Sequence, residues 1–265
     1  MRAVLAQLVP TPRAAPRNAK RAADLVLEHR AADLVVFPEL FLTGYDLGTA
    51  RTSALELDGP ELARVRGAAA RARTAVVVGF AERRGHARVA NSAACIGTDG
   101  ELRAVYRKAC LFGHEAEVFE TGEQLVVADL AGRAVGLLIC FDMEFPEPAR
   151  ALARGGADLL VTVAANMEPF LSDHRIAGQA RALDNRLPHL YVNRWGDEAG
   201  LRFIGGTRAL QPDGTIAAEA PDGVAVLEVT VPSPGADDDR VDYLAHLPTS
   251  LTVLAPPSAR PGSRP

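Results

Sequence analysis

Two rhythms of apolar residues alternate along the 265-residue chain. Short runs rich in Val, Leu and Ala read as strands: Ala3–Leu8, Asp33–Phe37, Thr74–Ala81, Val89–Gly97, Leu102–Tyr106, Gln124–Asp129, Arg133–Ile139, Asp158–Ala164, His189–Asn193, Phe203–Leu210, Thr215–Ala218 and Val224–Val229. Between several of them the spacing widens to the helical period. Pro16–Ala31 places Ala19, Ala22, Ala23, Val26 and Leu27 on one face, and Asp58-Gly59-Pro60 opens a helix that runs to about Ala72. Pro146–Arg154, closed by Gly155-Gly156, and Ser172–Arg186, with Asp173 near its start, complete the helices. Turns fall at Arg83-Arg84-Gly85-His86, Thr98-Asp99-Gly100, Ala131-Gly132 and Pro212-Asp213-Gly214, and Ala109–Gly122 is irregular.

Strand–helix units at both ends enclose antiparallel pairs in the middle. That order predicts an α/β chain in which helices cover two sheets, a layered sandwich in one domain over residues 1–254. From Pro232 the composition shifts to Pro, Gly, Asp and Ser. Val241–Leu254 reads as ordered and Ala255–Pro265 as a disordered tail.

Composition narrows the function. Hydrophobic content is 48 %, charged content 23 % and net charge -4, so neither a nucleic acid nor an anionic membrane is an expected partner. No apolar run approaches the ~20 residues of a membrane span. The N-terminal apolar run is broken by Gln7, Pro10 and Pro12, unlike a signal peptide. Three widely spaced cysteines, Cys95, Cys110 and Cys140, form no disulfide framework and predict a cytoplasmic setting. The histidines lack metal-ligand spacing, and nucleotide-binding glycine motifs are absent; no metal or cofactor is expected. Of the 29 basic residues only Lys20 and Lys108 are lysines. A lysine in so arginine-rich a background marks a position where a slim point charge differs from a planar fork.

Three positions carry candidate chemistry. Cys140 ends the Arg133–Ile139 run and precedes a proline-started helix. Such an elbow exposes a nucleophile at a sheet edge, although free cysteine is also a common buried residue. Asp142, Glu144 and Glu147 follow it, and negative charge disfavours a thiolate, so these carboxylates must turn away or be paired. Glu39 follows Asp33–Phe37 and Pro38 among Phe37, Leu40, Phe41 and Leu42, where desolvation raises a carboxylate toward the range of a general base. For Glu39 to meet Cys140, their two strands are expected to be parallel neighbours. Lys108, just past Leu102–Tyr106, would hold an oxyanion and favour the thiolate.

FPEL at 37–40, YRKACLF at 106–112 and GLLICFDMEFPE at 136–147, in that order, resemble the nitrilase superfamily of carbon–nitrogen hydrolases. So do Ala3–Gln7, Thr43-Gly44-Tyr45, Gly79, Asn91-Ser92, Phe119 with Gly122, Gly156-Ala157-Asp158, Ala180-Arg181-Ala182, Val192-Asn193 and Gly205-Gly206; the resemblance spans about residues 3–230. It implies an αββα sandwich that pairs with a second copy through its helical face. It also implies that Glu39 is the general base, Cys140 the nucleophile and Lys108 the stabiliser of the tetrahedral intermediate, with the Phe141 backbone N–H completing the oxyanion hole. The family's second glutamate falls at Glu115, or at Glu117 by another alignment.

The branch suggested is the amidase one, acting on a small-molecule amide. Phe141 stands where true nitrilases usually carry Trp. Met143 and Glu144 stand where D-amino-acid carbamoylases carry the arginines that hold a carboxylate. The stretch Ala164–Phe170, with Asn166 and Met167, resembles the pocket-lining strand end of aliphatic and stereoselective amidases. Met167, Phe170 and Trp195 are expected to shape an apolar pocket, and Glu144 or Glu168 to attract an amine-bearing substrate. The basic residues usual after the DYL-like stretch at 242–244 are missing, as His246 runs into Leu247-Pro248. Competing readings are carbamoyl-amine hydrolysis, nitrile hydrolysis or acyl transfer on the same triad, a Cys-His dyad using His174 or His189, and a non-catalytic binding protein on the same scaffold.

Overall fold

The computed structural model describes residues 1–85, 88–233, 241, 243–246 and 248. His86 of the expected hairpin turn, Asp242 and Leu247, and the expected tail at 255–265 lie outside the described residues. In the first strands both phases of the alternation are apolar, so each must be covered on both faces. In β1 (Arg2–Gln7), Ala3 and Leu5 face one core while Val4 and Ala6 face another. The same parity runs through β2 (Leu34–Val36), β3 (Ala75–Arg84) and β4 (Arg88–Ile96). With β5 (Leu102–Arg107) and the late strand β14 (Ala225–Thr230) they form a six-stranded sheet of order β14-β1-β2-β3-β4-β5. Its outer face packs on α1 (Ala15–Glu28) and α3 (Pro60–Ala72). Between them α2 (Ala50–Ser53) is a single turn that the apolar pattern does not announce.

The second sheet mirrors the first, with order β13-β12-β9-β8-β7-β6. Its members are β6 (Val127–Leu130), β7 (Arg133–Ile139), β8 (Leu159–Ala164), β9 (His189–Asn193), β12 (Arg208–Leu210) and β13 (Ile216–Glu219). Val135, Leu137 and Ile139 pair in register with Leu159, Val161 and Val163 and join the core shared with the first sheet. On the opposite face Gly136 lies against Leu152 of α4 (Pro146–Arg154), and His189 against Gly178 of α5 (Leu171–Asn185). The layers are therefore α1/α3, sheet, sheet, α4/α5, the expected αββα sandwich.

Phe203–Leu210 is not the single strand its apolar run predicts. Gly205 and Gly206, at φ 62° and 71°, break it into β11 (Leu201–Ile204) and β12. β11 pairs with β10 (Trp195–Glu198) as a separate hairpin and bridges to Met167 through Phe203. The short α6 (Tyr243–His246) lies near α5, with Tyr243 under the Arg186 guanidinium.

Each sheet has a parallel centre, β1-β2-β3 and β9-β8-β7, with antiparallel strands outside. Carboxyl ends of parallel strands are where α/β sheets gather ligands. Glu39 follows β2 and Cys140 follows β7. The expectation that these strands are neighbours is corrected here: β2 lies between β1 and β3, and β7 lies in the other sheet between β8 and β6. The two residues meet across the sandwich. Period-2 patterning specifies which face is buried, not which sheet a strand joins.

Candidate active site

Pro38 supplies no backbone N–H and ends β2 after three residues. The chain then crosses directly over β3, with Leu40 at φ 51° and the Leu42 N–H on the Gly79 carbonyl. The crossing is so close that a Cβ on Gly79 would lie 2.5 Å from the Pro38 oxygen and 2.7 Å from the Glu39 Cα. Only glycine leaves Glu39 where it is.

Glu39 is fully buried. Its Oε1 accepts from Lys108 Nζ at 2.8 Å and from Asn91 Nδ2 at 2.6 Å. Its Oε2 has no hydrogen-bond partner among the described residues. Burial pushes the Glu39 carboxyl up from its ordinary value, with Lys108 pulling against it. Lys108 extends from the end of β5, where its own N–H donates to the Asn91 carbonyl. Its ammonium lies 2.8 Å from Glu39 and 2.9 Å from Glu115. Burial opposes that charge, yet the two carboxylates hold the Lys108 ammonium well above its ordinary value. Glu115 is fixed in turn by the Tyr45 hydroxyl at 2.7 Å and the Phe112 N–H at 2.9 Å. Of the two alignments for the second glutamate, Glu115 is the one beside Lys108; Glu117 is exposed and paired with His114.

Cys140 begins a 3-10 helix, Cys140–Glu144, with φ at 49°. A non-glycine residue in that region costs about 1–3 kcal/mol and is held there by its surroundings. Asp142 does the holding: it turns back to accept from the Ile139 N–H (2.9 Å), the Cys110 N–H (2.7 Å) and the Tyr106 hydroxyl (2.7 Å). Burial and then the Glu39 charge push the Cys140 thiol well up; Lys108 and a backbone hydrogen bond at Ala165 pull the other way and are outweighed. The expectation that Lys108 favours the thiolate is thus met in sign but not in outcome, because burial and the Glu39 charge outweigh it. The resting group is a thiol that feels the charge of the Glu39 carboxylate.

Cys140 and Lys108 open on a narrow cleft of about 10 Å³ with Tyr45, Phe112, Phe141, Glu144, Ala165, Asn166, Met167, Phe170 and His174 around it. A larger apolar depression of about 340 Å³ shares Tyr45, Phe112 and Met167 as walls. Of the residues read from sequence as substrate-binding, Phe141, Glu144, Asn166, Met167 and Phe170 line the cleft. Three do not. Met143 is fully buried, its sulfur against Gly178 of α5, because the 3-10 helix turns it inward. Trp195 lies in the β10–β11 hairpin with Arg202 over its ring. Glu168 is on the surface, 3.4 Å from Arg202. The two candidate dyad histidines are committed elsewhere. His189 sits between Thr162 and the Gly178 carbonyl, and burial lowers it to about 4. His174 bridges Tyr191 and Glu144.

Asn91, Tyr45 and Asp142 are the positioning groups that spacing alone does not assign. A second tier stands behind Tyr45. The buried Glu198 accepts the Tyr45 N–H at 3.0 Å and pairs with Arg194 at 2.5 Å, and Arg194 covers the Phe203 ring.

Residues 2–240 match the carbon–nitrogen hydrolase family. A hydrolase from the pqqF 5' region of Pseudomonas protegens is 37 % identical over 219 residues, covering 81 % of this chain and 77 % of that protein. An (R)-stereoselective amidase of a Pseudomonas species is 39 % identical over 190 residues, covering 71 % and 69 %. Among solved structures, the amidase of Nesterenkonia sp. AN1 superposes with a TM-score of 0.82 at 30 % identity, over 93 % of this chain and 98 % of that one. Its glutamine-for-glutamate variant has been captured after Michael addition of acrylamide at the active-site cysteine, and a cysteine-to-alanine variant in complex with butyramide. The chain belongs to the carbon–nitrogen hydrolase family, the nitrilase superfamily, in its amidase branch.

Proposed function

We propose that this protein hydrolyses small amides through a thioester on Cys140, releasing ammonia and a carboxylic acid. The observation that carries the reading is the buried Glu39–Lys108–Glu115 cluster beside a left-handed cysteine elbow. The addition of acrylamide at the active-site cysteine of the Nesterenkonia amidase, and the complex of its cysteine-to-alanine variant with butyramide, support it.

Cys140 Sγ attacks the amide carbonyl carbon while its proton passes to Glu39. The new oxyanion is stabilised by the Lys108 ammonium and the Phe141 N–H, the latter in the first turn of a helix where backbone donors lack helical partners. Glu39 returns the proton to the nitrogen, the C–N bond breaks, and ammonia leaves. Water then attacks the thioester carbonyl as Glu39 takes its proton; the C–S bond breaks, Glu39 returns that proton to the Cys140 sulfur, and the carboxylic acid leaves. Lys108 is an electrostatic group in this scheme and not a base, since its two carboxylates keep it protonated. Glu115 holds Lys108 in place.

The working form is proposed to be a homodimer in the cytoplasm. Phe145, Leu171, Ile176 and Leu183 leave apolar surface on the α4/α5 layer, and Ile176 is 68 % exposed. Cys95, Cys110 and Cys140 are all free thiols. No helix among the described residues is long and apolar enough to cross a membrane.

The test is ammonia release from a panel of aliphatic amides by the wild type and by Cys140→Ala and Cys140→Ser. Both variants are expected to be inactive while melting as the wild type does; turnover by Cys140→Ala at the wild-type rate overturns the reading.

A further inference from the structure

We infer that Glu144 is a cation-recognition carboxylate, and that the preferred substrates are amides whose acyl part carries a protonated amine close to the carbonyl. The inference rests on the amidase reading and deepens it.

Glu144 lies in the same 3-10 helix as Cys140, four residues on, and lines the same cleft. At a rise of about 2.0 Å per residue the two backbone positions stand about 8 Å apart along that helix. This distance suits one short substrate touching both side chains. Glu144 is not a loose surface carboxylate. His174 Nε2 lies 3.2 Å from its Oε1. The His174 Nδ1 is 2.9 Å from the Tyr191 hydroxyl, and both rings are buried and edge to face. His174 on α5, backed by Tyr191 on β9, therefore stands beside one oxygen of Glu144. The side chain still keeps 28 % of its surface exposed.

The rest of the cleft favours the same ligand. Among its described lining residues no arginine occurs, and Lys108, the single lysine, is held between Glu39 and Glu115. With Glu144 included, these carboxylates outnumber the ammonium, so an anionic acyl group meets net repulsion and a cationic one net attraction. The remaining walls are aromatic. Phe112 stands edge-on to Phe141 and to Phe170, with centroids 5.3 and 5.5 Å apart. Ring faces beside a carboxylate form a site for a substituted ammonium. Glu168, the other acidic residue near this loop, faces Arg202 at the surface and takes no part.

Two isosteric pairs of primary amides test this directly: 3-aminopropanamide against butyramide, and 2-aminopropanamide against isobutyramide. The readout is the ratio of kcat/KM within each pair, below the pH at which the amine deprotonates. The wild type is expected to favour the cationic member by about tenfold or more in at least one pair. In Glu144→Gln that ratio is expected to fall about tenfold, mainly through KM of the cationic amide. In Glu144→Asp, which keeps the charge, the preference is expected to persist. A wild-type ratio of one or less in both pairs overturns the inference with no variant needed, as does a ratio unchanged by Glu144→Gln. A protein that turns over neither member of either pair would instead overturn the amidase reading, so the two failures are distinct.

Discussion

At Glu39 the two carboxylate oxygens differ. Oε1 is held by Asn91 and Lys108, and Oε2 has no partner among the described residues, as the proposed general base requires. Asn91 donates to the carboxylate and so favours its charged form. Replacing it by Leu is expected to push the already raised Glu39 carboxyl further up. The ascending limb of kcat/KM against pH, where Glu39 must be ionised to accept the thiol proton, then moves to higher pH. A lost hydrogen bond to a charged group also lowers kcat about 10- to 100-fold at the optimum. A pH–rate profile checks both; an unmoved limb means that Glu39 is not the titrating base. Glu39, Lys108 and Cys140 could be singled out as candidates because each sits in a distinctive local motif. Their supports were not. Asp142 reads in the sequence as an unwelcome negative charge beside the thiol, whereas it turns back onto backbone N–H groups, a direction that no spacing encodes. Met143 reads as a pocket residue because it stands where carbamoylases carry a substrate-holding arginine, and a single turn of 3-10 helix sends it into the core instead.

At the scale of elements, the site depends on two tight pieces of backbone. One is the crossing of Pro38–Leu40 over Gly79 on β3. A methyl group there, within 2.7 Å of three backbone atoms, forces the crossing outward. Gly79→Ala is expected to cost about 1–3 kcal/mol of stability and to lower kcat far more than a comparable core substitution elsewhere. Chemical denaturation read beside steady-state kinetics separates the two effects. The other is the elbow from Cys140. Asp142→Ala leaves two backbone N–H groups and a tyrosine hydroxyl without their acceptor, each costing about 1–3 kcal/mol. Equilibrium unfolding is expected to show a loss well beyond that of Asp129→Ala, whose carboxylate caps only an exposed turn. Helices and most strands could be read from hydrophobic period and Pro/Gly punctuation, and Arg133–Ile139, Pro146–Arg154 and His189–Asn193 match their expected bounds. The break at Gly205-Gly206 and the pairing of β2 and β7 into separate sheets follow from contacts remote in sequence, which period alone does not carry.

For the whole molecule, two halves of similar layout each contribute strand ends to one cleft. The first sheet brings Glu39 and Lys108; the second brings Cys140 and the Asn166–Met167 turn. Keeping the halves in register therefore matters to chemistry as well as to stability. The α4/α5 layer, where α5 carries His174 and backs Met143, also exposes apolar side chains, Ile176 among them. Ile176→Glu is expected to convert a dimer to a monomer, seen by size-exclusion chromatography with light scattering; a wild type that is already monomeric would contradict the proposed pairing. The central claim is the acyl-enzyme on Cys140, and partitioning with hydroxylamine tests it most directly. Butyramide and ethyl butyrate, which differ only in leaving group, must pass through the same butyryl thioester. The account predicts the same ratio of butyrohydroxamic acid to butyric acid from both, and no hydroxamic acid from either with Cys140→Ala. Ratios that depend on the leaving group, or hydroxamic acid formed without Cys140, would contradict it.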